Sequence, residues 1–163
     1  MSMQNDASLN LVIGLISDTH GLLRPEAVEA LKGSDYILHA GDVGNPYILD
    51  SLRTIAPVTA IRGNVDRGPD WHFLPETETV ELGGHLIYML HDRQELSLNP
   101  RTAGMKAVIY GHTHKPDIEE HQGVWFINPG SAGRRRFTLP VSVGKITIRE
   151  GYFHPEIIEL DID

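Results

Sequence analysis

The sequence lacks cysteine altogether: none of its 163 residues is one. This absence excludes a disulfide framework and thiolate metal sites, and it is typical of a protein in a reducing cytosol. The chain also lacks an apolar run of membrane-spanning length, and its polar start has neither the basic residues nor the apolar stretch of a signal peptide. We therefore expect a soluble cytoplasmic protein with no membrane partner, in which any metal ion is bound by nitrogen and oxygen.

Positive charge is scarce as well. There are 14 lysines and arginines against 22 aspartates and glutamates, which gives a formal net charge of −8 at pH 7. Proteins that bind nucleic acid along its backbone gain affinity by neutralising phosphates, so we expect no stable nucleic-acid binding. The charge does not exclude a single phosphodiester held at a metal ion.

Apolar residues make up 40% of the chain, enough for the core of one domain over residues 1–163, in which 1–9 are expected to be disordered or weakly ordered. Up to residue 62, strand-like runs alternate with helical patterns as in a parallel sheet. Beyond residue 75, runs separated by turn residues predict further, mostly antiparallel strands. The predicted strands are 9–17, 36–40, 58–62, 77–82, 85–90, 107–110, 124–127, 141–149 and 152–160, and the predicted helices are 25–31 and 46–55. The fold class is therefore α/β, with two packed β-sheets flanked by helices.

Five short polar clusters follow apolar runs at predicted strand ends. They are Asp18-Thr19-His20, Gly41-Asp42, Gly63-Asn64-Val65-Asp66, His91-Asp92 and Gly111-His112-Thr113-His114. Ligand sites of α/β sheets collect beyond the carboxyl ends of strands, so clusters that are distant in sequence can converge in space. Carboxylates and imidazoles are ligands that Mn, Fe, Co, Ni and Zn accept, and one carboxylate can bridge two ions.

The spacing within the clusters fits a shared site. In an extended segment, residues i and i+2 point to the same side, so Asp18 with His20, and His112 with His114, can each address one location. The glycines before Asp42, Asn64 and His112 are expected to let the backbone turn tightly and approach the site closely.

Each cluster also has a purely structural interpretation. Gly-Asp and Gly-Asn are common turn dipeptides, Asp-Thr-His can cap a helix, and a single histidine can end a strand. Only Gly-His-Thr-His is moderately specific by itself, but the ordered set at five strand ends favours a metal site. The remaining histidines match no cluster and are predicted to be surface or packing residues: His39, His72, His85, His121 and His154.

In this order the clusters resemble the motifs of the calcineurin-like metallophosphoesterase superfamily, and the short length is similar to its YfcE-type phosphodiesterase branch. The resemblance covers residues 13–133 and implies a four-layer αββα sandwich with a dinuclear metal centre. Mn2+ is the first expectation, and Ni2+, Fe2+, Co2+ or Zn2+ would also be accepted. One ion would be bound by Asp18, His20, Asp42 and His114, and the other by Asp42, Asn64, His91 and His112.

The resemblance further implies a phosphoric ester hydrolase in which a metal-bound hydroxide attacks phosphorus in line. Asn64 is expected to contact the phosphate as well as a metal ion, since its amide both donates and accepts. Many superfamily members have a histidine after this asparagine to assist the leaving group, whereas Val65 cannot donate a proton. The small branch also lacks this histidine, which favours a phosphodiester over a phosphomonoester as the substrate. We expect this substrate to be a small phosphate ester. Asp66 is expected to hold a histidine ligand in its orientation without binding a metal ion itself.

Two other functions stay open. A retromer subunit resembles this branch in fold but acts as an interaction scaffold, and a phosphomonoesterase would use the same metal centre. Arg134, Arg135 and Arg136 either bind substrate phosphate or form a solvated basic face. Residues 93–106 contain proline and glycine and are short for the helix that the resemblance implies there. Exposed strands in a small sandwich make a homodimer possible.

Overall fold

The computed structural model describes residues 10–162 of the chain. The expected weakly ordered segment 1–9, with the first residue of the first predicted strand, lies outside the described residues. Within them the chain forms two five-stranded sheets. The strands are β1 (Leu11–Ile16), β2 (Tyr36–His39), β3 (Val58–Ala60), β4 (Thr77–Leu82), β5 (His85–Leu90), β6 (Met105–Ile109), β7 (Asp117–His121), β8 (Val124–Asn128), β9 (Ser142–Arg149) and β10 (Tyr152–Glu159). The helices are α1 (Pro25–Leu31) and α2 (Tyr47–Arg53), with 3-10 turns at Pro69–Trp71 and Arg93–Glu95.

The first sheet has the strand order β10-β9-β1-β2-β3. Strands β1, β2 and β3 are parallel, as their alternation with helical patterns predicted, and β9 pairs antiparallel with β1 and β10. Pro25 stands in the first turn of α1, where its missing N–H loses no helical hydrogen bond. Both helices bury one face in an apolar cluster shared with this sheet. The outer face of the first sheet is thus covered by helix.

The second sheet has the strand order β4-β5-β6-β8-β7. The expectation of mostly antiparallel order in this half was wrong for its centre, because β5, β6 and β8 are parallel to one another. Only the outer pairs, β4 with β5 and β7 with β8, are antiparallel. Parallel pairing places the carboxyl ends of β5 and β6 at the same edge, where His91 and the cluster at Gly111 begin.

Apolar side chains fill the space between the two sheets. Ile13 and Leu15 of β1 belong to this core, whereas Ile16 belongs to the cluster under the helices, as alternation along a strand requires. Ile87 and Met89 of β5 meet them from the second sheet and are fully buried. Burial of each such side chain stabilises the fold by about 1.5–3 kcal/mol, so the sheets form a firm base for the loops at their edge.

The outer face of the second sheet has no α-helix among residues 10–162. A small cluster of Leu90, Val108, Tyr110, Val124 and Phe126 lies there instead, closed in part by Leu96. The sandwich of two packed sheets with helices is confirmed, but the second helical layer is reduced to the 3-10 turn after β5. None of the described helices is long and apolar enough to cross a lipid bilayer.

Candidate metal centre

Five loops meet at one edge of the sandwich, each directly after a strand. Three follow β1, β2 and β3 of the first sheet, and two follow β5 and β6 of the second. Backbone hydrogen bonds join them in pairs: Asp18 N–H donates to Gly41 O at 3.0 Å, and Gly111 N–H donates to His91 O at 3.0 Å. These loops carry the five polar clusters, so the site draws on both sheets.

The predicted ligands stand on an unusual backbone. Eight non-glycine residues in the described range have positive φ, and five of these are predicted ligands. They are Asp18 (55°), His20 (47°), Asp42 (55°), His112 (76°) and His114 (65°). Such conformations cost about 1–3 kcal/mol each and are concentrated at functional sites. The expected extended geometry, with i and i+2 on one side, was therefore wrong: left-handed turns present these side chains instead.

Glycine permits the close approach of these loops, as expected. A Cβ on Gly41, whose φ is 102°, would lie 2.8 Å from His91 Nδ1. A Cβ on Gly63 would overlap the carboxylate of Asp42, and one on Gly111 would lie 2.6 Å from Asp18 Oδ2. No larger residue fits at these three positions without moving a predicted ligand.

One oxygen of each buried aspartate points at a group of imidazoles. Asp18 Oδ1 lies 3.5 Å from His114 Nε2, 3.6 Å from His20 Nε2 and 3.8 Å from His91 Nε2. Asp42 Oδ2 lies 3.1 Å from His91 Nε2 and 3.4 Å from His20 Nε2. Ligand atoms of Asp18, His20 and His114, and those of Asp18, Asp42 and His91, each lie within 4.8 Å of one another. Five predicted ligands are thus brought together.

The second oxygen of each aspartate is held by the protein. Asp18 Oδ2 accepts from Ser17 Oγ at 2.7 Å and from the N–H of His112 at 3.1 Å. Asp42 Oδ1 accepts from the N–H of Val65 at 3.0 Å. These bonds fix the direction in which the remaining oxygens point.

Several polar atoms in this centre are suited to a metal ion. Asp18 Oδ1, His20 Nε2 and His91 Nε2, which face one another, are buried without a hydrogen-bond partner, and so is Nδ1 of His114. Buried polar atoms are rarely left unpaired in this way. His91 Nδ1 donates to the carbonyl of Ala40 at 2.8 Å, which leaves Nε2 as its metal-binding nitrogen. The donor set of carboxylate oxygen and imidazole nitrogen fits divalent first-row metals.

Asn64 and His112 lie at the rim of this centre. Asn64 is exposed, and the His112 side chain is 43% exposed. Together with His91 they line an open groove of about 660 Å3, and His112 also borders a second cavity of about 670 Å3. The ring of His112 stands edge-on to that of His91, with centroids 5.3 Å apart. The groove gives a ligand access to the buried centre.

Asp66 acts differently from the expectation. It is buried, and its carboxylate accepts from the backbone N–H groups of Val43, Gly44 and Gly63 at 2.9–3.0 Å. It therefore ties the loop after β2 to the loop after β3, and within residues 10–162 its carboxylate has no hydrogen bond or ion pair with a histidine. Outside the predicted ligand set, Asp92 lies beside a predicted histidine ligand, with its Oδ2 3.8 Å from His112 Nε2.

His39 belongs to the site although its sequence matched no cluster. The ring is fully buried, its Nδ1 accepts from the N–H of Gly41 at 3.1 Å, and its Nε2 lies 3.1 Å from Thr19 Oγ1. Thr19 in turn donates to Val43 O at 2.7 Å. Burial lowers the pKa of His39 to about 4, so the ring is neutral and joins the loops after β1 and β2. The other four histidines outside the clusters are at least partly exposed, as predicted.

The two aspartates make the centre favourable for positive charge. The Asp18 carboxylate, whose Oδ1 lies 3.6 Å from Nε2, raises the pKa of His20. Burial disfavours the charged form of His91, but the carboxylates of Asp42 and Asp18 outweigh it and raise its pKa to about 9. Burial acts against the charge of Asp42 too, and contacts with His91 and the Val65 N–H outweigh it and lower its pKa. A cation at this place would replace the protons that the histidines otherwise hold.

Comparison with known proteins agrees with this geometry. A profile of the calcineurin-like phosphoesterase superfamily domain matches residues 11–151. A probable metallophosphoesterase of Methanocaldococcus jannaschii is 35% identical over 153 residues, which cover 86% of this chain and 77% of the relative.

Two solved structures show the same fold. An archaeal phosphodiesterase has a TM-score of 0.74 at 23% identity, covering 91% of this chain and 100% of the other. Vps29 of Entamoeba histolytica complexed with Zn2+ has a TM-score of 0.70 at 23% identity, covering 93% and 100%. The family match confirms the resemblance that the ordered clusters predicted: the chain belongs to the calcineurin-like phosphoesterase superfamily.

Proposed function

We propose that this protein is a metal-dependent phosphodiesterase with a dinuclear centre. The observation that carries the proposal is the convergence of three buried, unpartnered ligand atoms, Asp18 Oδ1, His20 Nε2 and His91 Nε2, beside an open groove, with His114 Nε2 3.5 Å from Asp18 Oδ1. Carboxylate and imidazole ligands at the carboxyl edge of two sheets suit hydrolysis at a metal better than they suit a structural role.

The position of Asp42 supports two ions. Its Oδ2 lies within 3.4 Å of both His20 and His91, which belong to different proposed ligand sets. One ion would be held by Asp18, His20, Asp42 and His114, and the other by Asp42, Asn64, His91 and His112. Mn2+ is the ion we expect first. Ni2+, Fe2+ and Co2+ suit the same ligands, and Zn2+, which the Vps29 structure contains, does so too.

The chain's own groups would bind and orient the ester. Divalent ions, when bound by these residues, would supply an activated water and would neutralise charge on the phosphoryl oxygens. The exposed amide of Asn64 lies at the groove wall, where it can donate a hydrogen bond to a phosphoryl oxygen. Hydrogen bonds from Ser17 and from the His112 N–H fix the buried carboxylate of Asp18, so this ligand needs little reorganisation when the ester binds.

A diester is favoured over a monoester by the residue after Asn64. Val65 is 46% exposed beside the groove and offers no proton to a leaving group. The structural likeness to an archaeal phosphodiesterase supports the same preference.

The likeness to Vps29 supports a second candidate, a non-catalytic interaction scaffold. All seven expected ligand positions of this chain have side chains that can bind a metal, which an enzyme requires. Because a Vps29 structure also contains Zn2+, metal binding alone does not separate the two candidates, whereas hydrolysis does.

Hydrolysis assays distinguish these candidates. Metal-stripped protein would be given Mn2+, Ni2+, Mg2+ or no metal, with a chromogenic phosphodiester and its matching monoester, beside the Asp42→Ala and His112→Ala variants. The exposed His154, on the edge strand β10, provides a control variant, His154→Ala. We expect metal-restored diester cleavage that both site variants lose and the control keeps. Silence with every metal and ester would favour the scaffold.

Three further predictions belong to this proposal: a cytoplasmic location, no stable binding to nucleic acid or membrane, and a homodimer. Light scattering of the purified protein tests the oligomeric state, and salt-dependent gel-shift assays test nucleic-acid binding.

A further inference from the structure

The carboxylate of Asp92 lies where two cavities meet at His112. Both residues line the groove of about 660 Å3 and also the neighbouring cavity of about 670 Å3. Asp92 Oδ2 lies 3.8 Å from His112 Nε2. Within residues 10–162, no other carboxylate forms an ion pair with this ring, and no lysine or arginine forms one with Asp92. The two side chains are therefore each other's charged partners.

The other oxygen of Asp92 is already held by the backbone. Oδ1 accepts from the N–H of Gln94 at 3.0 Å and so caps the 3-10 turn Arg93–Glu95. Asp18 and Asp42 have the same arrangement, with one oxygen held by the protein and the other directed at imidazole. At the rim of the centre, Asp92 repeats the geometry of the two buried aspartates.

The backbone on both sides of Asp92 is anchored. Arg93 Nη1 donates to Glu119 Oε1 at 2.6 Å, and its guanidinium lies over the ring of Phe126 at 4.2 Å from the centroid. These contacts tie the turn after β5 to β7 and β8. His91, on the other side, is buried in the centre. The carboxylate between them is thus kept at its place beside the groove.

The contact between Asp92 and His112 has a use when the imidazole binds a metal. The side chains are 28% and 43% exposed, and an exposed pair contributes little to stability by itself. However, metal-binding histidines donate their other ring N–H to a carboxylate or a carbonyl, which sets the tautomer and the orientation of the ring. His91 does so to the carbonyl of Ala40 at 2.8 Å. A small rotation of either exposed side chain would bring Asp92 and His112 to hydrogen-bond distance.

We propose that Asp92 is the positioning residue of His112. Its carboxylate accepts from Nε2–H and leaves Nδ1 of the ring to bind the second metal ion. This inference rests on the proposed dinuclear centre. It gives Asp92 the supporting role that the sequence predicted for Asp66, whose carboxylate is occupied by three backbone N–H groups.

The variant Asp92→Ser tests this role by metal binding. Serine caps as well as aspartate does, so it keeps an acceptor for the Gln94 N–H but is too short to reach His112. Metal-stripped protein would be titrated with Zn2+ in competition with a chelating dye. We expect one of two ions to bind about 10- to 100-fold more weakly, the loss typical of a removed ligand support, and the other to bind as in the wild type. Glu95→Gln removes a negative charge from the same turn and is the matched control, in which both affinities stay unchanged.

The ring nitrogens of His112 provide a second measurement, which a purely structural role of Asp92 would leave unchanged. In Zn2+-loaded protein labelled with 15N-histidine, we expect an Nε2–H resonance that is identified by its absence in His112→Gln. Asp92→Ser should lose this resonance through exchange with solvent, whereas Glu95→Gln should keep it.

Neither measurement depends on hydrolysis, so an inactive wild type would count against the phosphodiesterase proposal alone. Two ions bound equally well by the wild type and by Asp92→Ser would overturn the inference, as would a His112 ring that binds Zn2+ through Nε2. A wild type that binds one Zn2+ would overturn the dinuclear centre and this inference together.

Discussion

At the scale of single residues, we expect the centre to depend most on Asp42. Replacement by asparagine keeps the shape and the acceptor for the Val65 N–H, but removes the charge that faces His20 and His91. We expect kcat of Asp42→Asn to fall by more than about 100-fold. This is a larger decrease than that caused by removal of a group that only positions a metal ligand. Its metal content per chain should also fall, as measured by elemental analysis after dialysis.

The control for Asp42→Asn is His154→Ala, which removes an exposed imidazole from β10. It should keep the metal content and activity of the wild type. Full metal content in Asp42→Asn would contradict a bridging role for this carboxylate.

His39 should make the stability of the metal-free protein depend on pH. Its pKa falls from 6.5 to about 4 because burial disfavours its charged form. The unfolded chain therefore binds a proton below pH 6.5 that the folded protein does not bind until about pH 4. The contribution of neutral His39 to the free energy of unfolding is fully present above the pKa of this histidine in the unfolded chain. The free energy of unfolding decreases by up to about 3 kcal/mol as the pH falls through this window.

The variant His39→Gln isolates this effect. Glutamine keeps a donor for Thr19 and does not titrate, whereas the charged groups that act on the ring, those of Asp18, Asp42, His20 and His91, are present in both proteins. The difference in free energy of unfolding between wild type and variant, from urea titrations at pH 7, 6, 5 and 4, should change in favour of the variant on acidification. A difference that stays constant with pH would show that His39 is not buried in its neutral form.

Sequence reasoning predicted the side chains that converge in the site better than it predicted the groups that support them. The predicted ligands stand in short motifs, so local order pointed to them. The roles of His39 and Asp66 arise from backbone groups 2 to 23 residues away that only the fold brings close. No local pattern distinguishes a buried neutral histidine such as His39 from an exposed one.

At the scale of elements, apolar runs predicted nine of the ten strands. The missed strand, β7, is an edge strand of the second sheet with mostly charged or polar side chains, so it lacks the apolar run on which the prediction relied. The parallel order of β5, β6 and β8 was missed because the intervening chain does not form helix. Asn99 accepts two backbone N–H bonds in that stretch, which makes a turn where the family pattern implied a helix.

Close packing of the loops after β1 and β6 predicts a functional role for Gly111. In Gly111→Ala the new Cβ would meet the Ser17 side chain and Asp18 Oδ2, and relief would move the loop that bears His112 and His114. Overpacking of this kind costs about 1–3 kcal/mol. We expect lower stability together with at least about tenfold weaker metal binding, the loss typical of a disturbed ligand support.

Gly84→Ala provides the comparison for Gly111→Ala. Gly84 lies in the turn between β4 and β5 with open space around it and a φ of 81°. Its replacement should cost about 1–2 kcal/mol of stability through backbone strain alone. Metal affinity, measured by competition with a chelating dye, should be unchanged. Equal metal affinity in both variants would show that the loop after β6 does not position its histidines through this contact.

At the scale of the whole molecule, the metal centre joins the two sheets. Asp18, His20 and Asp42 follow strands of the first sheet, whereas His91 and His114 follow strands of the second. The sheets are otherwise held together by the apolar core between them. Ions bound by both sets of ligands would resist separation of the sheets, and the ligands are not assembled in the unfolded chain.

Metal binding should therefore raise the stability of the entire domain. Free Mn2+ at a hundred times its dissociation constant adds about 2.7 kcal/mol to the free energy of unfolding. For a chain of this size each kcal/mol shifts Tm by about 2–4 °C, so we expect an increase of roughly 5–11 °C. Calorimetry with and without Mn2+ measures the shift, a chelator should reverse it, and Asp42→Asn should reduce it. An unchanged Tm in protein that elemental analysis shows to be metal-loaded would mean that the ions bind the folded and unfolded chains equally. Metal binding would then not stabilise the packing of the two sheets against each other.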